Sequence, residues 1–331
     1  MVFLSLSARI LLNVEALNMV ESVGNFVRHR RAPIAVPTGT GFMLKYVPVI
    51  SGESIAHSYQ ELLADAGIKS GIKVCSNCSA GIFIKHSDDP VLEDWAKKAI
   101  KEGEEAFERA IIQNCFVEDV GGFMYAGGKP VKRTSRFQVG YMVPALDAIT
   151  STAVEAQFHV RYAKTTEAQS IYNVEVGSAV YTLGFNIDVD GIGVLSSSKT
   201  ELAVTKEERL KRVELAIKSL NTMLSNALFG AKRSRFTPIW KVLNAVAVVS
   251  HPIPITAEPP HTKDYIVNTS RKVGSSKELL NKGKVNLNET AWVGYYSSPE
   301  EVLPKVEGVE ELKDLTQLIN QSINNVLKLI S

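Results

Sequence analysis

Alternation of apolar and polar side chains over residues 2–14 constrains the fold more than any other feature of the sequence. Polar residues, among them Ser5, Ser7 and Arg9, lie between the apolar positions, which are Val2, Leu4, Leu6, Ala8, Ile10, Leu12 and Val14. A period of two predicts a strand with one buried face and one polar face. Residues 51–66 then predict a helix that begins at a Ser51 cap and ends at Gly67. The chain therefore starts with a strand followed by a helix.

The later elements complete a recognisable order. Residues 137–149, 174–189 and 239–249 have strand patterns, and a long helix that begins at a capping box precedes the last of them. The box is formed by Thr205 and Glu208. The resulting order β, α, β, β, α, β is that of the ferredoxin-like fold, which RNA-recognition domains share.

We therefore predict an α+β protein with a ferredoxin-like, RNA-recognition-motif-like (RRM-like) core over residues 1–250. A helical insertion over residues 68–130 and a projecting β-hairpin over residues 150–172 interrupt this core. A C-terminal section, residues 251–331, ends in an amphipathic helix.

Composition excludes several classes of protein. The 331 residues include 37 basic and 35 acidic side chains, so the net charge of +2 excludes a polycation of the histone kind. Three cysteines are too few for a secreted disulfide framework and favour a reducing compartment. The apolar N-terminus lacks a basic region before it, and no run approaches the roughly 20 apolar residues of a membrane span. We expect a cytoplasmic protein.

The charges are segregated along the chain into three basic clusters. Between Glu214 and Glu258 every formal charge is basic, and residues 120–146 contain four cations and no acid. The clusters are Arg28, Arg30 and Arg31; Lys129, Lys132, Arg133 and Arg136; and Lys218, Lys232, Arg233, Arg235 and Lys241. Clustered Arg and Lys predict contacts with a phosphate backbone, and the alternative is a solvated surface without a ligand.

Metal and nucleotide motifs are incomplete. Cys75 and Cys78 have the spacing that begins many zinc sites, with His86 and Cys115 as possible further ligands. Because a second tight pair of cysteines is missing, small buried thiols are the preferred interpretation. The glycine-rich stretches also depart from the phosphate-loop and dinucleotide patterns. We predict no metal and no cofactor.

His159 is the best-placed histidine, because it shares a face of the predicted hairpin with Arg161. A stacking or binding role is expected for it, since acid–base cleavage of RNA needs a second group opposite the imidazole. The other histidines are scattered, so no catalytic residue is predicted. Three apolar residues point the other way, towards hairpin packing or a neighbouring subunit: Phe158, Val160 and Tyr162.

Several sequence blocks resemble one family. They are Ser5 to Arg9, Leu12 to Asn18, Glu21 to Asn25, Val49 to Ser54, His57 to Tyr59, Phe158 to Tyr162 and Lys232 to Arg235. Together these blocks resemble the DevR-family CRISPR-associated autoregulators of the RAMP superfamily, which are backbone subunits of type I Cascade surveillance complexes. The form of the blocks is most similar to the archaeal type I-A member.

The resemblance implies an RRM-like core whose copies stack head to tail into a helical filament along one guide RNA (crRNA). The hairpin would act as a thumb over the RNA, and the guide would pair with target DNA. Partners would be crRNA, target DNA, further copies of the chain and other Cascade subunits, with no membrane. The expected RNA-binding residues are Arg9, Asn18, Ser22, Asn25, Arg28, Arg30, Arg31, Lys132, Arg133, His159, Arg161, Lys232, Arg233 and Arg235.

Two alternatives to a non-catalytic guide-RNA scaffold stay open at this point. Relatives of this fold cleave guide precursors, so a metal-independent endoribonuclease that processes CRISPR precursor RNA is one. A transcriptional autoregulator is the other, although the sequence contains no helix-turn-helix signal.

Overall fold

The computed structural model describes residues 1–162, 170–198, 200–283, 286–304 and 306–331. The protein is a mixed α+β structure in which helices pack on a large sheet. Its strands are β1 (Phe3–Glu15), β2 (Met19–Val23), β3 (Phe26–His29), β4 (Arg31–Thr38), β5 (Gly41–Pro48), β6 (Phe123–Tyr125), β7 (Val131–Arg133), β8 (Phe137–Val139), β9 (Val143–Pro144), β10 (Ala153–Arg161), β11 (Ser170–Asp188), β12 (Ile239–His251), β13 (Thr290–Ser297) and β14 (Glu310–Leu312). Its helices are α1 (Gly52–Lys69), α2 (Ser76–Ser79), α3 (Asp94–Glu102), α4 (Glu104–Asn114), α5 (Phe116–Gly121), α6 (Lys206–Ser225), α7 (Tyr265–Leu280) and α8 (Leu315–Ile330).

β1 is the central strand of the large sheet. It pairs antiparallel with β12 on one side and with β11 on the other. The far edge of β11 pairs antiparallel with β8 and β9, so the order through these strands is β12, β1, β11, then β8 and β9. Beyond β12 the sheet continues through β13 and β14. The predicted strand at 137–149 is therefore two short strands followed by a 3-10 helix, Leu146–Ser151.

The main core lies on the face of the sheet that carries the alternating apolar residues of β1. Leu4, Leu6, Ile10 and Leu12 are buried there, and the covering helices are α1, α6 and α8. The predicted caps form: Ser51 accepts the Ser54 N–H, and Thr205 accepts the Glu208 N–H at 3.2 Å. α6 ends at Ser225, and a loop with Gly230 follows it. Among the described residues, no helix is long and apolar enough to cross a membrane.

The polar face of β1 is buried too, because the C-terminal section covers it. Arg9 is 1% exposed, and its guanidinium forms a bidentate ion pair with Glu301 at 2.8 Å. The same guanidinium donates to Asp147 at 2.8 Å and to the Pro260 carbonyl at 3.1 Å. The expected RNA contact of Arg9 does not fit this structure, because the side chain is buried and four of its five N–H donors are used inside the fold.

A compact insertion joins α1 to β8. It contains α2 to α5 and the small β6–β7 sheet. Of these, α3, α4 and the β6–β7 sheet share a separate apolar core around Phe107 and Phe123, whereas α2 and α5 pack into the main core. Gly103, with φ of 128°, divides the helical stretch into α3 and α4.

Two β-hairpins project from this framework. β4 pairs with β5, and β10 pairs with the first part of β11 from Arg161↔Ser170 to Ala153↔Ser178. The second hairpin is the predicted one, but its return strand continues as β11, far beyond the predicted boundary at residue 172. Residues 163–169 of the predicted thumb lie outside the described residues.

Candidate nucleic-acid interface

Three segments meet at the end of the sheet where β11 begins. The β2–β3 hairpin pairs with β11 through Asn173↔Phe26 and Val174↔Val27, and the Asn25 side chain donates to the Ile171 carbonyl at 2.9 Å. On the opposite edge of β11 lies β10. The loop after α6 arrives at the same end, because Ala231 N–H donates to the Leu17 carbonyl at 2.7 Å.

A small apolar cluster joins the three segments beneath the surface. It consists of Ala16, Met19, Val27, Tyr172, Val174, Val176 and Phe236. Since its members come from all three segments, the cluster holds the polar and basic side chains around it in one surface. We call this surface the loop-end surface: residues 22–31, the hairpin residues 157–161 and 171–172, and residues 231–237.

Residues 231–237 of the loop-end surface, which we call the basic loop, have a well-defined backbone conformation. Gly230 has φ of 79°, and a β-carbon there would lie 2.6 Å from Leu17, so only glycine fits. Phe236 N–H donates to the Lys232 carbonyl at 3.0 Å and closes the turn. Lys232 and Arg235 are exposed and Arg233 is partly exposed, and no described acidic side chain forms an ion pair with any of the three. Their charges are available to an anion.

The β2–β3 hairpin contributes further cations. Arg28 is exposed and its guanidinium lies 5.9 Å from the centre of the Phe26 ring. Arg31 pairs with Glu175 at 2.9 Å but keeps 46% of its side chain exposed. Ser22 and Asn25 are exposed on the same hairpin, and Arg30 is partly exposed.

A buried ion pair anchors this hairpin to β1. His29 Nε2 lies 2.5 Å from Glu15 Oε1, and both side chains are fully buried. The other ring nitrogen, Nδ1, faces the Arg30 carbonyl at 2.8 Å, so both nitrogens donate and the ring is an imidazolium. Burial opposes the charged forms, but the mutual hydrogen bond outweighs it, raising the pKa of His29 and lowering the pKa of Glu15. This pair has no signal in the sequence, because its members lie in different strands and neither belongs to a motif.

His159 lies within the loop-end surface but is not free to stack on a base. Its ring stacks on Tyr172 with centroids 5.2 Å apart and meets the edge of Phe236 at 5.5 Å. It therefore joins the hairpin to the basic loop. Arg161, on the same face, is exposed, and so are two apolar residues of the other face, Phe158 at 76% and Tyr162 at 83%.

The second basic cluster lies elsewhere. Lys132 and Arg136 line a pocket beside Asp188, at the far end of β11. That strand is 19 residues long, about 60 Å at roughly 3.3 Å per residue. Lys132 is exposed there. The structure brings the first cluster together with Lys232, Arg233 and Arg235 of the third, and it leaves the second cluster apart. The other two members of the third cluster, Lys218 and Lys241, pair with Glu214 and Glu300 instead.

The expected RNA contact of Arg133 does not fit the structure either, because this side chain is 2% exposed and binds groups within the fold. Its guanidinium pairs with Asp119 at 2.5 Å and with Glu108 at 2.9 Å, and it donates to the Val194 and Gly191 carbonyls. All of its donor groups are occupied, so it has none to offer a phosphate.

Asn18 is also structural in this fold. It is 9% exposed, its side-chain oxygen accepts the Ser51 N–H at 2.7 Å, and its carbonyl accepts the Arg30 N–H at 2.8 Å. It positions the β2–β3 hairpin against the start of α1.

The loop-end surface thus combines exposed cations, exposed amides and hydroxyls, and exposed aromatic rings, which suits contacts with phosphates, sugars and base faces.

Comparison with known proteins identifies the relatives of the chain. The model of the family described as "CRISPR-associated negative auto-regulator DevR/Csa2" matches residues 6–270. A CRISPR-associated aCascade subunit, Cas7/Csa2 2 of Saccharolobus solfataricus, is 44% identical over 318 residues, covering 91% of this chain and 98% of the relative. A CRISPR-associated protein of the same organism, Cas7/Csa2 1, is 38% identical, covering 84% of this chain and 89% of the relative.

Solved structures share the fold at low identity. One chain of a CRISPR RNA-guided surveillance complex, in a pre-nicking form, aligns with a TM-score of 0.56 at 11% identity, over 98% of this chain and 100% of that one. The resemblance seen in the sequence blocks is confirmed, and it extends over almost the whole chain.

Proposed function

The chain belongs to the DevR/Csa2 family, and from that premise we propose that it is a non-catalytic backbone subunit that binds guide RNA in a CRISPR interference complex. Several copies stack head to tail into a helical filament along one crRNA and present it to target DNA. Other Cascade subunits complete the complex.

The proposed core is RRM-like, over residues 1–250 with the two insertions. The supporting observation is the antiparallel order β12, β1, β11, then β8 and β9, with α1 and α6 on one face. Numbered along a βαββαβ chain, this is the order 4-1-3-2 of a ferredoxin-like sheet.

The observation that carries the proposed RNA binding is the convergence of separate basic segments on the loop-end surface. Lys232, Arg235 and Arg28 are exposed there, beside the exposed Asn25 and Arg161. Such groups grip phosphates and sugars without reading base edges, which a protein that coats guides of many sequences requires. Repetition of this surface in successive copies would build a continuous positive channel, although the net charge is only +2.

The proposed stacking is supported by apolar side chains left exposed on the two projecting hairpins. On the β4–β5 hairpin, Phe42, Leu44 and Tyr46 are 78%, 71% and 71% exposed. On the β10–β11 hairpin, Phe158 and Ile171 are 76% and 55% exposed. A hairpin that packs on a different surface of the next copy makes a heterologous contact, which generates an open filament.

Electron microscopy of the purified protein with and without single-stranded RNA tests the proposal. Helical filaments with RNA are expected. A protein that binds such RNA yet remains monomeric at saturation would contradict the backbone role. Leu44→Asp on the β4–β5 hairpin should shorten the filaments without altering the fold, because this side chain is mostly exposed.

No described feature favours the endoribonuclease alternative. The ring of His159 is packed between Tyr172 and Phe236, and His29 is held by Glu15. Incubation of the protein with CRISPR precursor RNA in the absence of metal separates the two functions. Intact, bound RNA is expected, and discrete cleavage that His159→Ala abolishes would establish the enzyme instead.

A further inference from the structure

Three cysteines and a carboxylate from distant parts of the insertion meet in a buried site. The Cys75, Cys78 and Cys115 sulfurs and one Glu118 oxygen all lie within 4.8 Å of one another. Cys78, Cys115 and Glu118 are fully buried, and Cys75 is 4% exposed. Cys75 and Cys78 donate to Glu118 Oε1 at 3.3 and 3.9 Å.

The spacing of these residues forms two matching pairs. Cys75 caps α2 and Cys78 lies three positions later, while Cys115 caps α5 and Glu118 lies three positions later. Each pair therefore presents two side chains from the first turn of a helix. The sequence pattern is C-x2-C followed by C-x2-E, which differs from the paired C-x2-C motif of structural zinc sites only at the last ligand. The second pair is not visible as a motif in the sequence, because its last member is not a cysteine.

We propose that Cys75, Cys78, Cys115 and Glu118 bind one structural Zn²⁺ ion. Thiolate and carboxylate are both established zinc ligands, and four of them satisfy tetrahedral coordination with no open position. At a Zn–S distance of about 2.3 Å, tetrahedral sulfurs lie about 3.8 Å apart. The present cluster, with all four ligand atoms within 4.8 Å, contracts onto such an ion with small side-chain movements.

Neighbouring groups complete the site as a metal centre requires. His86 Nδ1 lies 2.7 Å from Glu118 Oε1, and the backbone N–H of His86 donates to Glu118 Oε2 at 3.2 Å. A histidine that holds a ligating carboxylate fixes its orientation. The Trp95 ring covers His86 with centroids 4.9 Å apart, and Lys85 donates to the Gly121 carbonyl beside the site. The ammonium group of Lys85 offsets part of the negative charge of three thiolates and one carboxylate around a dication.

The ion would cross-link segments that are distant in sequence but that both pack against α1 in the main core. α2 and α5 belong to opposite ends of the insertion, and the loop that carries His86 crosses between them. The site also borders the loop-end surface, since Cys78 and Arg233 line the same pocket of about 360 Å³. Zinc at this position would hold the insertion against α1 behind the basic loop. This inference does not depend on the proposed RNA binding.

Metal analysis of the full chain tests the inference directly. Protein purified under reducing conditions and dialysed should retain about one zinc per chain by mass spectrometry. Removal of the metal with a chelator should lower Tm and expose the cysteines to a thiol reagent, and added Zn²⁺ should reverse both changes. The same protein with Co²⁺ should show the absorption of tetrahedral thiolate coordination.

Variants identify the ligands. Cys75→Ser combined with Cys115→Ser should abolish zinc retention, and His86→Gln should weaken zinc binding by about 10- to 100-fold in competition with a chelator. Ser79→Ala, an exposed change in the same helix, is the matched control and should retain zinc fully.

Three results would overturn the inference. The first is wild-type protein that retains no zinc and whose Tm and thiol reactivity do not respond to Zn²⁺. The second is full zinc retention by the double cysteine variant. The third is a disulfide between two of the cysteines in protein isolated without reductant. Because the wild-type measurements need no variant, misfolding of a variant does not prevent a decision.

Discussion

Neutralising the basic loop should weaken RNA binding and make the affinity less dependent on salt concentration. The change is Lys232→Ala, Arg233→Ala and Arg235→Ala together. Each lost phosphate contact on single-stranded RNA makes the slope of log affinity against log salt shallower by about 0.7. If all three side chains contact phosphates, the slope becomes shallower by about 2. Between about 50 and 200 mM salt, the wild type should therefore lose about 20-fold more affinity than the variant.

Stability should hardly change, which keeps the measurement interpretable. The three side chains are exposed or partly exposed, and no described acid pairs with them. Surface substitutions of this kind usually alter the free energy of unfolding by less than about 0.5 kcal/mol. The turn itself uses backbone groups, the Lys232 carbonyl and the Phe236 N–H, which the substitutions leave in place.

The assay is fluorescence anisotropy with a short single-stranded RNA of mixed sequence, titrated at several salt concentrations. A matched control removes three cations from α3 in the insertion, Lys97, Lys98 and Lys101, which are exposed and far from the loop in sequence. This control changes the net charge equally. It should leave the slope unchanged, so a loss confined to the basic loop separates direct contact from net charge.

The reasoning is refuted if the loop variant retains the wild-type salt slope and melts like the wild type. That result would show that the basic loop faces away from the RNA. A slope that becomes equally shallow in the α3 control would instead assign the effect to net charge.

The hairpin, the buried ion pair and the cations of β7 each give a further expected outcome. Removal of residues 160–171, with the ends joined by Asn-Gly, preserves the register of the remaining strand pairs; circular dichroism should stay unchanged while RNA affinity falls. The pKa of His29 is raised above its ordinary value of 6.5, so its charged form contributes stability that is fully present below pH 6.5 and is lost as the pH rises through the folded-state pKa. The Tm of the wild type should therefore fall as the pH rises above 6.5, and a Tm that does not change with pH would contradict this. Arg133→Ala should cost about 3–5 kcal/mol in urea unfolding, whereas Lys132→Ala should cost less than about 0.5 and leave the salt slope unchanged.

The sequence predicted those elements whose signals are local. Strand β1 follows from alternation within one segment. The starts of α1 and α6 follow from capping residues that bind a backbone N–H only three positions later. The order of core elements could be predicted for the same reason. Boundaries failed where tertiary pairing decides them: β11 continues through the predicted edge of the hairpin, because β10 pairs with its first nine residues.

Burial of charged residues could not be predicted, because the partners are distant in the chain. Alternation shows that Arg9 opposes the apolar face, but Glu301, its partner, is 292 residues away. Arg133 sits in an apparently basic segment, yet Glu108 and Asp119 lie before that segment and neutralise it. A run of like charges in sequence therefore does not establish a positive surface. By contrast, Lys232, Arg233 and Arg235 form no such ion pair among the described residues.

The position of the C-terminal section explains why the proposed RNA contacts would not lie on the face of the sheet. In RNA-recognition domains, aromatic residues on the open sheet face stack two or three bases. Here the corresponding face of β1 and β12 is closed by a second apolar core under α7 and by the Arg9 ion pairs. The groups left for RNA lie where strands end, on loops and hairpins. A surface of that kind would contact the RNA backbone and leave base edges unread, so the fold itself would account for the proposed tolerance of guide sequence.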